Sequence, residues 1–177
     1  QDYYRLYFQE PGVAEAELEA DIYKTMLGFL YTLSGNIVMD GVRSKGWAGY
    51  FPKGETVLDQ LVLPTTLPSW LSQDDLKFYV DQFSKTGFRG GLNWYRNIKR
   101  MTSLLAPYVG KSIDQPALYL YGEHDLITGN TAEAIEMLPS NLKNLTGLHK
   151  FAGAGHWLQQ ERAEEVSEKI IEFIDQL

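Results

Sequence analysis

Two short motifs carry side chains that could do chemistry together. Gly122-Glu123-His124-Asp125 and Gly153-Ala154-Gly155-His156-Trp157 each place a titratable group just beyond a short apolar run. An aspartate that accepts a hydrogen bond from one imidazole nitrogen fixes the tautomer and raises the basicity of the other, so His156 oriented by Asp125 would be a general base near neutral pH. Spacing alone equally allows Asp125 to cap a turn and His156 to be an ordinary histidine beside Trp157. His124 could compete for the base role, but a strand-end turn holds it at a different angle, and His149 falls inside an apolar run. Both read as structural or exposed. The 3 histidines form no i,i+4 pair and have no acidic cluster nearby, so no metal site is expected.

The elements that must position these groups follow from periodicity. Pro116 to Tyr121 and Leu145 to Phe151 have the length and apolar content of buried strands. Thr131 to Leu138 reads as a short helix, and Ala163 to Leu177, with Val166, Ile170, Phe173, Ile174 and Leu177, as an amphipathic one. Strand-helix-strand-helix is the rhythm of a parallel sheet covered by helices, and catalytic groups collect at the carboxyl ends of such strands. Two strands are too few for a stable sheet, so apolar surface should be left exposed for a partner.

Upstream of about Ser112 the pattern is helical. Val13 to Leu33 reads as one helix with acidic Glu15, Glu17 and Glu19 in its first turns. The stretch 34–71, interrupted by glycines and prolines but carrying Trp47, Tyr50, Phe51 and Trp70, reads as a long ordered covering loop. Ser72 and Asp75 form a variant capping box ahead of a helix that Gly87 stops. A third helix follows Gly90-Gly91, with Tyr95, Ile98, Met101 and Leu105 on its apolar face and Pro107 at its end. The expected fold class is therefore α/β, with a helical region over 1–111 and a strand-helix-strand-helix region over 112–177.

Composition excludes several classes. The 177 residues carry 16 Lys+Arg against 23 Asp+Glu, and the resulting net charge of −7 disfavours nucleic acid. The absence of cysteine removes disulfides and thiolate chemistry and fits a cytoplasmic location. No apolar run reaches the roughly 18 to 20 residues of a membrane span, so no membrane partner is expected.

Longer motifs are more specific. Tyr4-Arg5-Leu6-Tyr7-Phe8-Gln9-Glu10-Pro11-Gly12-Val13-Ala14-Glu15-Ala16-Glu17-Leu18-Glu19, the segments Phe78-Tyr79-Val80 and Gly87-Phe88-Arg89-Gly90-Gly91-Leu92-Asn93-Trp94-Tyr95-Arg96-Asn97, and Gly155-His156-Trp157 resemble the soluble epoxide hydrolases, an α/β-hydrolase family. The resemblance runs over nearly the whole chain. It implies a helical cap over 1–111, then the C-terminal part of the hydrolase core over 112–177, with the N-terminal core half absent. It implies that Tyr4 and Tyr95 are the cap tyrosines that polarise the epoxide oxygen, that Asp125 and His156 are the charge-relay acid and base, and that Phe8, Ile127 and Trp157 line an apolar substrate pocket. Tyr3, Tyr7 and Tyr79 are left structural.

The implied reaction needs no cofactor. A nucleophilic aspartate on a strand-to-helix elbow opens a small apolar epoxide to an ester, and water activated by His156 releases the diol. The family carries that aspartate ahead of the cap, and neither Asp40, in the long loop, nor Asp81, in mid-helix, has the context of an elbow. The chain alone is therefore expected to be inactive and to need the missing core half as its partner; a homodimer is left open. A dehalogenase would share the nucleophile and base but need donors shaped for halide, and a non-catalytic binding module would have no need of all four polar groups.

Overall fold

The computed structural model describes residues 1–43, 47–125 and 132–177. In chain order the elements are β1 (Asp2–Tyr3), α1 (Tyr4–Tyr7), α2 (Val13–Glu19), α3 (Ile22–Thr32), α4 (Asn36–Met39), β2 (Tyr50–Phe51), α5 (Gln73–Thr86), α6 (Arg89–Arg96), α7 (Ile98–Leu105), β3 (Ile113–Gly122), α8 (Ala132–Glu136), α9 (Leu138–Asn141), β4 (Leu142–Phe151), α10 (Leu158–Glu161) and α11 (Ala163–Ile174). They form two compact units: Gln1–Thr32 with Gly49–Val109, and Leu33–Ala48 with Gly110–Leu177. Among the described residues no helix is long and apolar enough to cross a membrane.

The first unit is helical apart from one two-residue ribbon. β1 pairs antiparallel with β2, Asp2 opposite Phe51 and Tyr3 opposite Tyr50. The expected single helix from Val13 to Leu33 is two helices, α2 and α3. The break has a local cause: the Asp21 carboxylate accepts from the Lys24 amide at 2.9 Å, starting a fresh helix where the previous one could have continued. The capping box at α5 is present, with the Ser72 hydroxyl accepting from the Asp75 amide at 3.1 Å and Gly87 ending the helix. The third expected helix also differs. It starts at Arg89, with both glycines inside its first turn, and breaks at Asn97, whose side-chain amide donates to the Asn93 carbonyl at 2.8 Å. Ile98 therefore begins α7 and is exposed, so it does not share an apolar face with Tyr95.

The second unit is built on β3 and β4, which pair in parallel with Gly122 opposite Phe151. Both strands start earlier than their apolar runs predict, because the polar residues at their N-terminal ends are exposed and carry no hydrophobic signal. Phe151, Ala154, Leu158 and Val166 form its buried cluster, with Leu120 packed against them. Burying each of the large side chains contributes roughly 1.5–3 kcal/mol. The C-terminal helix ends at Ile174, and Ile170, Ile171 and Ile174 on α11 are exposed. The stretch expected as one long loop, 34–71, contains α4, β2 and a 3-10 turn at Leu58–Gln60, and its first part belongs to this second unit.

Candidate active site

In the second unit the two candidate motifs meet at the carboxyl ends of β3 and β4. The His156 Nδ1 lies 3.0 Å from the Asp125 Oδ1, and both side chains are partly buried. Their loops are tied to one another through the backbone. The His124 amide donates to the Ala154 carbonyl at 2.8 Å, and the Glu123 amide to the Phe151 carbonyl at 3.1 Å. Gly122 makes this approach possible, since a Cβ there would lie 2.3 Å from the Gly155 carbonyl oxygen. The His156 amide donates to the Leu33 carbonyl at 2.9 Å, fixing the histidine's backbone from a third segment. The Trp157 ring stands edge-on to the imidazole, with centroids 4.9 Å apart.

A carboxylate on Nδ1 holds the proton at that nitrogen and leaves Nε2 as the acceptor. That is the arrangement a water-activating base requires. His124 is used through its amide, and His149 sits within β4 opposite Leu120.

In the first unit Tyr4, Phe8 and Tyr95 form a triangle of rings. The centroid separations are 5.6 Å for Tyr4–Tyr95, 5.6 Å for Tyr4–Phe8 and 5.1 Å for Phe8–Tyr95, each pair edge-on. Phe8 is buried, and its ring contacts bring together two tyrosines that lie far apart in sequence. The backbone supports the same geometry. The Gln9 side-chain amide donates to the Tyr95 carbonyl at 3.1 Å, the Tyr4 amide donates to the Gly49 carbonyl at 3.0 Å, and Arg96 Nε donates to the Phe8 carbonyl at 3.0 Å. Gly49 has φ +84°, and a Cβ there would lie 2.5 Å from the Tyr4 ring.

Burial, followed by the neighbouring Tyr4, pushes the Tyr95 phenol above its ordinary pKa, so it is a neutral proton donor at physiological pH. The Tyr4 hydroxyl accepts from Arg5 Nε at 3.0 Å, a bond that does not use the phenol's own proton. Tyr7 is engaged elsewhere: its hydroxyl donates to Glu17, and burial followed by that hydrogen bond raises its pKa.

Six of the seven site residues singled out from the sequence are thus placed in two groups, Tyr4, Phe8 and Tyr95 in one unit and Asp125, His156 and Trp157 in the other. Ile127 lies outside the described residues. The supporting residues Gln9, Arg5 and Arg96 carry no signal of their own, because an exposed-looking polar residue announces neither its partner nor its burial.

A parallel strand pair with an aspartate and a histidine at its carboxyl ends, accompanied by a helical unit, is part of the α/β-hydrolase fold, and solved structures of that fold match the chain. Within that class the chain is homologous to the epoxide hydrolases. It is 39% identical over 174 residues to epoxide hydrolase A of Mycobacterium tuberculosis, covering 97% of this chain and 52% of that protein. It superposes on an epoxide hydrolase from an endophytic Streptomyces with a TM-score of 0.89 at 36% identity, over 98% of this chain and 52% of the other. Epoxide hydrolase A from Mycobacterium thermoresistibile gives 0.85 at 36% identity, again over 98% and 52%. The chain thus spans about half the length of these relatives. No family profile matches it.

Proposed function

We propose that this chain supplies the oxygen-polarising and ester-hydrolysing groups of an epoxide hydrolase that turns small apolar epoxides into vicinal diols. The observation that carries the reading is the hydrogen bond of 3.0 Å between Asp125 and the Nδ1 of His156, an imidazole set up to take a proton from water. The tyrosine triangle supports it, since ring opening develops an alkoxide and two phenols suit that charge.

In this reading a carboxylate oxygen attacks one epoxide carbon, the carbon–oxygen bond breaks, and the departing alkoxide takes a proton from Tyr4 or Tyr95. His156 Nε2 then removes a proton from water. The hydroxide adds to the ester carbonyl and the ester bond breaks. The acid proton passes to the leaving alkoxide, which departs as the diol and leaves the carboxylate, and the imidazolium proton returns through solvent to the tyrosinate, so that phenol, imidazole and carboxylate are all restored. Phe8, beside the two tyrosines, and Trp157, beside His156, are the apolar residues next to these groups in their own units. In this reading, as the family resemblance implies, the attacking carboxylate comes from outside these 177 residues. Asp125 is engaged with His156, Asp81 pairs with Lys77 in mid-helix, and Asp40 caps the short α4. The exposed isoleucines of α11 are consistent with further core packing there.

The test is a single turnover of the complete enzyme, this chain together with its nucleophile-bearing part, in water enriched in oxygen-18. The label is expected in an aspartate carboxylate, while the first-turnover diol stays unlabelled. Label in the diol after one turnover, or halide release in place of diol formation, would overturn the reading. The chain by itself should form no diol.

A further inference from the structure

Glu161 is a buried carboxylate that the reaction outlined above does not use. It ends α10, five residues after His156, and is only 7% exposed. One oxygen, Oε2, accepts from the Gly35 amide and from the Gly155 amide, both at 2.9 Å, and Oε1 accepts from the Trp157 amide at 3.1 Å. The two residues flanking His156 are therefore both bound to one side chain. His156 itself donates its amide to Leu33, two residues from the third anchor, Gly35.

The surrounding backbone leaves no room to do this otherwise. A Cβ on Gly155 would lie 2.4 Å from the Gly35 nitrogen, and one on Gly35 would lie 1.8 Å from the Gly153 carbonyl oxygen. Backbones that approach this closely put several N–H groups side by side away from water, and one anion can satisfy them all. A neutral side chain of the same size cannot. Glutamine keeps one oxygen, and whichever way its amide turns, an NH2 group faces at least one backbone N–H.

We propose that Glu161 is a positioning residue that holds His156 in register for ester hydrolysis, acting through the backbone amides of Gly35, Gly155 and Trp157. This rests on the reading of His156 as the water-activating base. Glu161 touches neither the imidazole nor substrate in this role; it sets where the ring starts.

The experiment compares wild type with Glu161→Gln in the complete enzyme, following ester formation and ester decay separately by stopped flow. Decay should slow by about 10- to 100-fold, the scale of a roughly 1 Å misplacement, while ester formation changes by less than about threefold. A role in stability alone would lower the melting temperature and leave the decay rate of the folded fraction unchanged, which overturns the proposal. Nitrogen-15 NMR supplies a readout independent of turnover. In wild type the Gly35, Gly155 and Trp157 amides should exchange slowly, and in Glu161→Gln the His156 Nδ1 proton signal should broaden or vanish. Should the variant fail to fold, fast exchange of those three wild-type amides overturns the proposal, and slow exchange supports it. An enzyme that forms no ester but shows the NMR signature would overturn the epoxide reading and leave the positioning of His156 standing.

Discussion

Tyr4 and Tyr95 are held largely by rings, whereas His156 is held by backbone. The tyrosines touch each other and Phe8 edge-on, in contacts worth about 0.5–1.5 kcal/mol apiece beyond the area they bury. His156 is fixed by its own amide, by its neighbours' amides on Glu161, and by the strand-end loops beneath it. A ring cluster yields by small rotations when a neighbour changes size. Backbone packed on backbone through Gly35, Gly122 and Gly155 has no rotamer to give, so the second arrangement tolerates less change.

The largest effect expected is at His156, the proposed base. His156→Ala should slow ester decay by about 10³- to 10⁴-fold, with the ester accumulating to one per active site in a burst. A decay rate within tenfold of wild type would remove His156 from the chemistry. Next comes the brittleness of its support. Gly155→Ala, with backbone atoms 2.4 Å from the new Cβ, should destabilise the second unit by about 3 kcal/mol in denaturant titration. A loss under about 1 kcal/mol would show that this backbone can yield after all.

On the ring side, Tyr95→Phe removes only a hydroxyl. It should slow ester formation by about 10- to 100-fold, spare ester decay, and shift stability by less than about 1 kcal/mol. Equal slowing of both steps would mean that the tyrosine acts through structure.

The smallest effect is a pH dependence in the first unit. Arg96 Nη1 and Nη2 grip the two Glu15 oxygens at 2.7 and 2.8 Å, and the Gly12 amide adds a third bond at 2.9 Å. The Arg96 hydrogen bond, foremost, lowers the Glu15 pKa from its ordinary 4.5 to about 2. A folded-state pKa below the unfolded one stabilises above pH 4.5, and the contribution disappears as pH falls toward 2. Thermal unfolding of Glu15→Gln should therefore lose about 1–2 kcal/mol at pH 7 and converge on wild type near pH 2. Parallel pH profiles would show that the ion pair contributes nothing.

The same contrast explains what could be read in the sequence. Helix α5 announces itself through Ser72, Asp75 and Gly87 because a capping box is a local pattern, and the apolar runs of β3 and β4 mark their buried halves. Asp125 and His156 stand out because strand ends collect catalysts. Tyr4 and Tyr95, by contrast, were recognisable only through a long motif, since ring contacts across distant positions leave no periodic trace. The break at Asp21 and the turn at Asn97 went unseen because each rests on one side-chain hydrogen bond that competes with a continuing helix. Glu161 was invisible for a related reason. A glutamate in a helix's first turn looks solvated until its burial is known.

The interleaving of the two units also sets an order of events during synthesis. Leu33–Ala48 belongs with residues that begin at Gly110, so a piece of the second unit is made before most of the first. Gly35 is translated 126 residues ahead of Glu161, the carboxylate that receives its amide, a wait of roughly 6–25 s at about 5–20 residues per second. Throughout that interval the Gly35 amide can bond only water, and its contact with Glu161 waits on nearly the last helix to emerge.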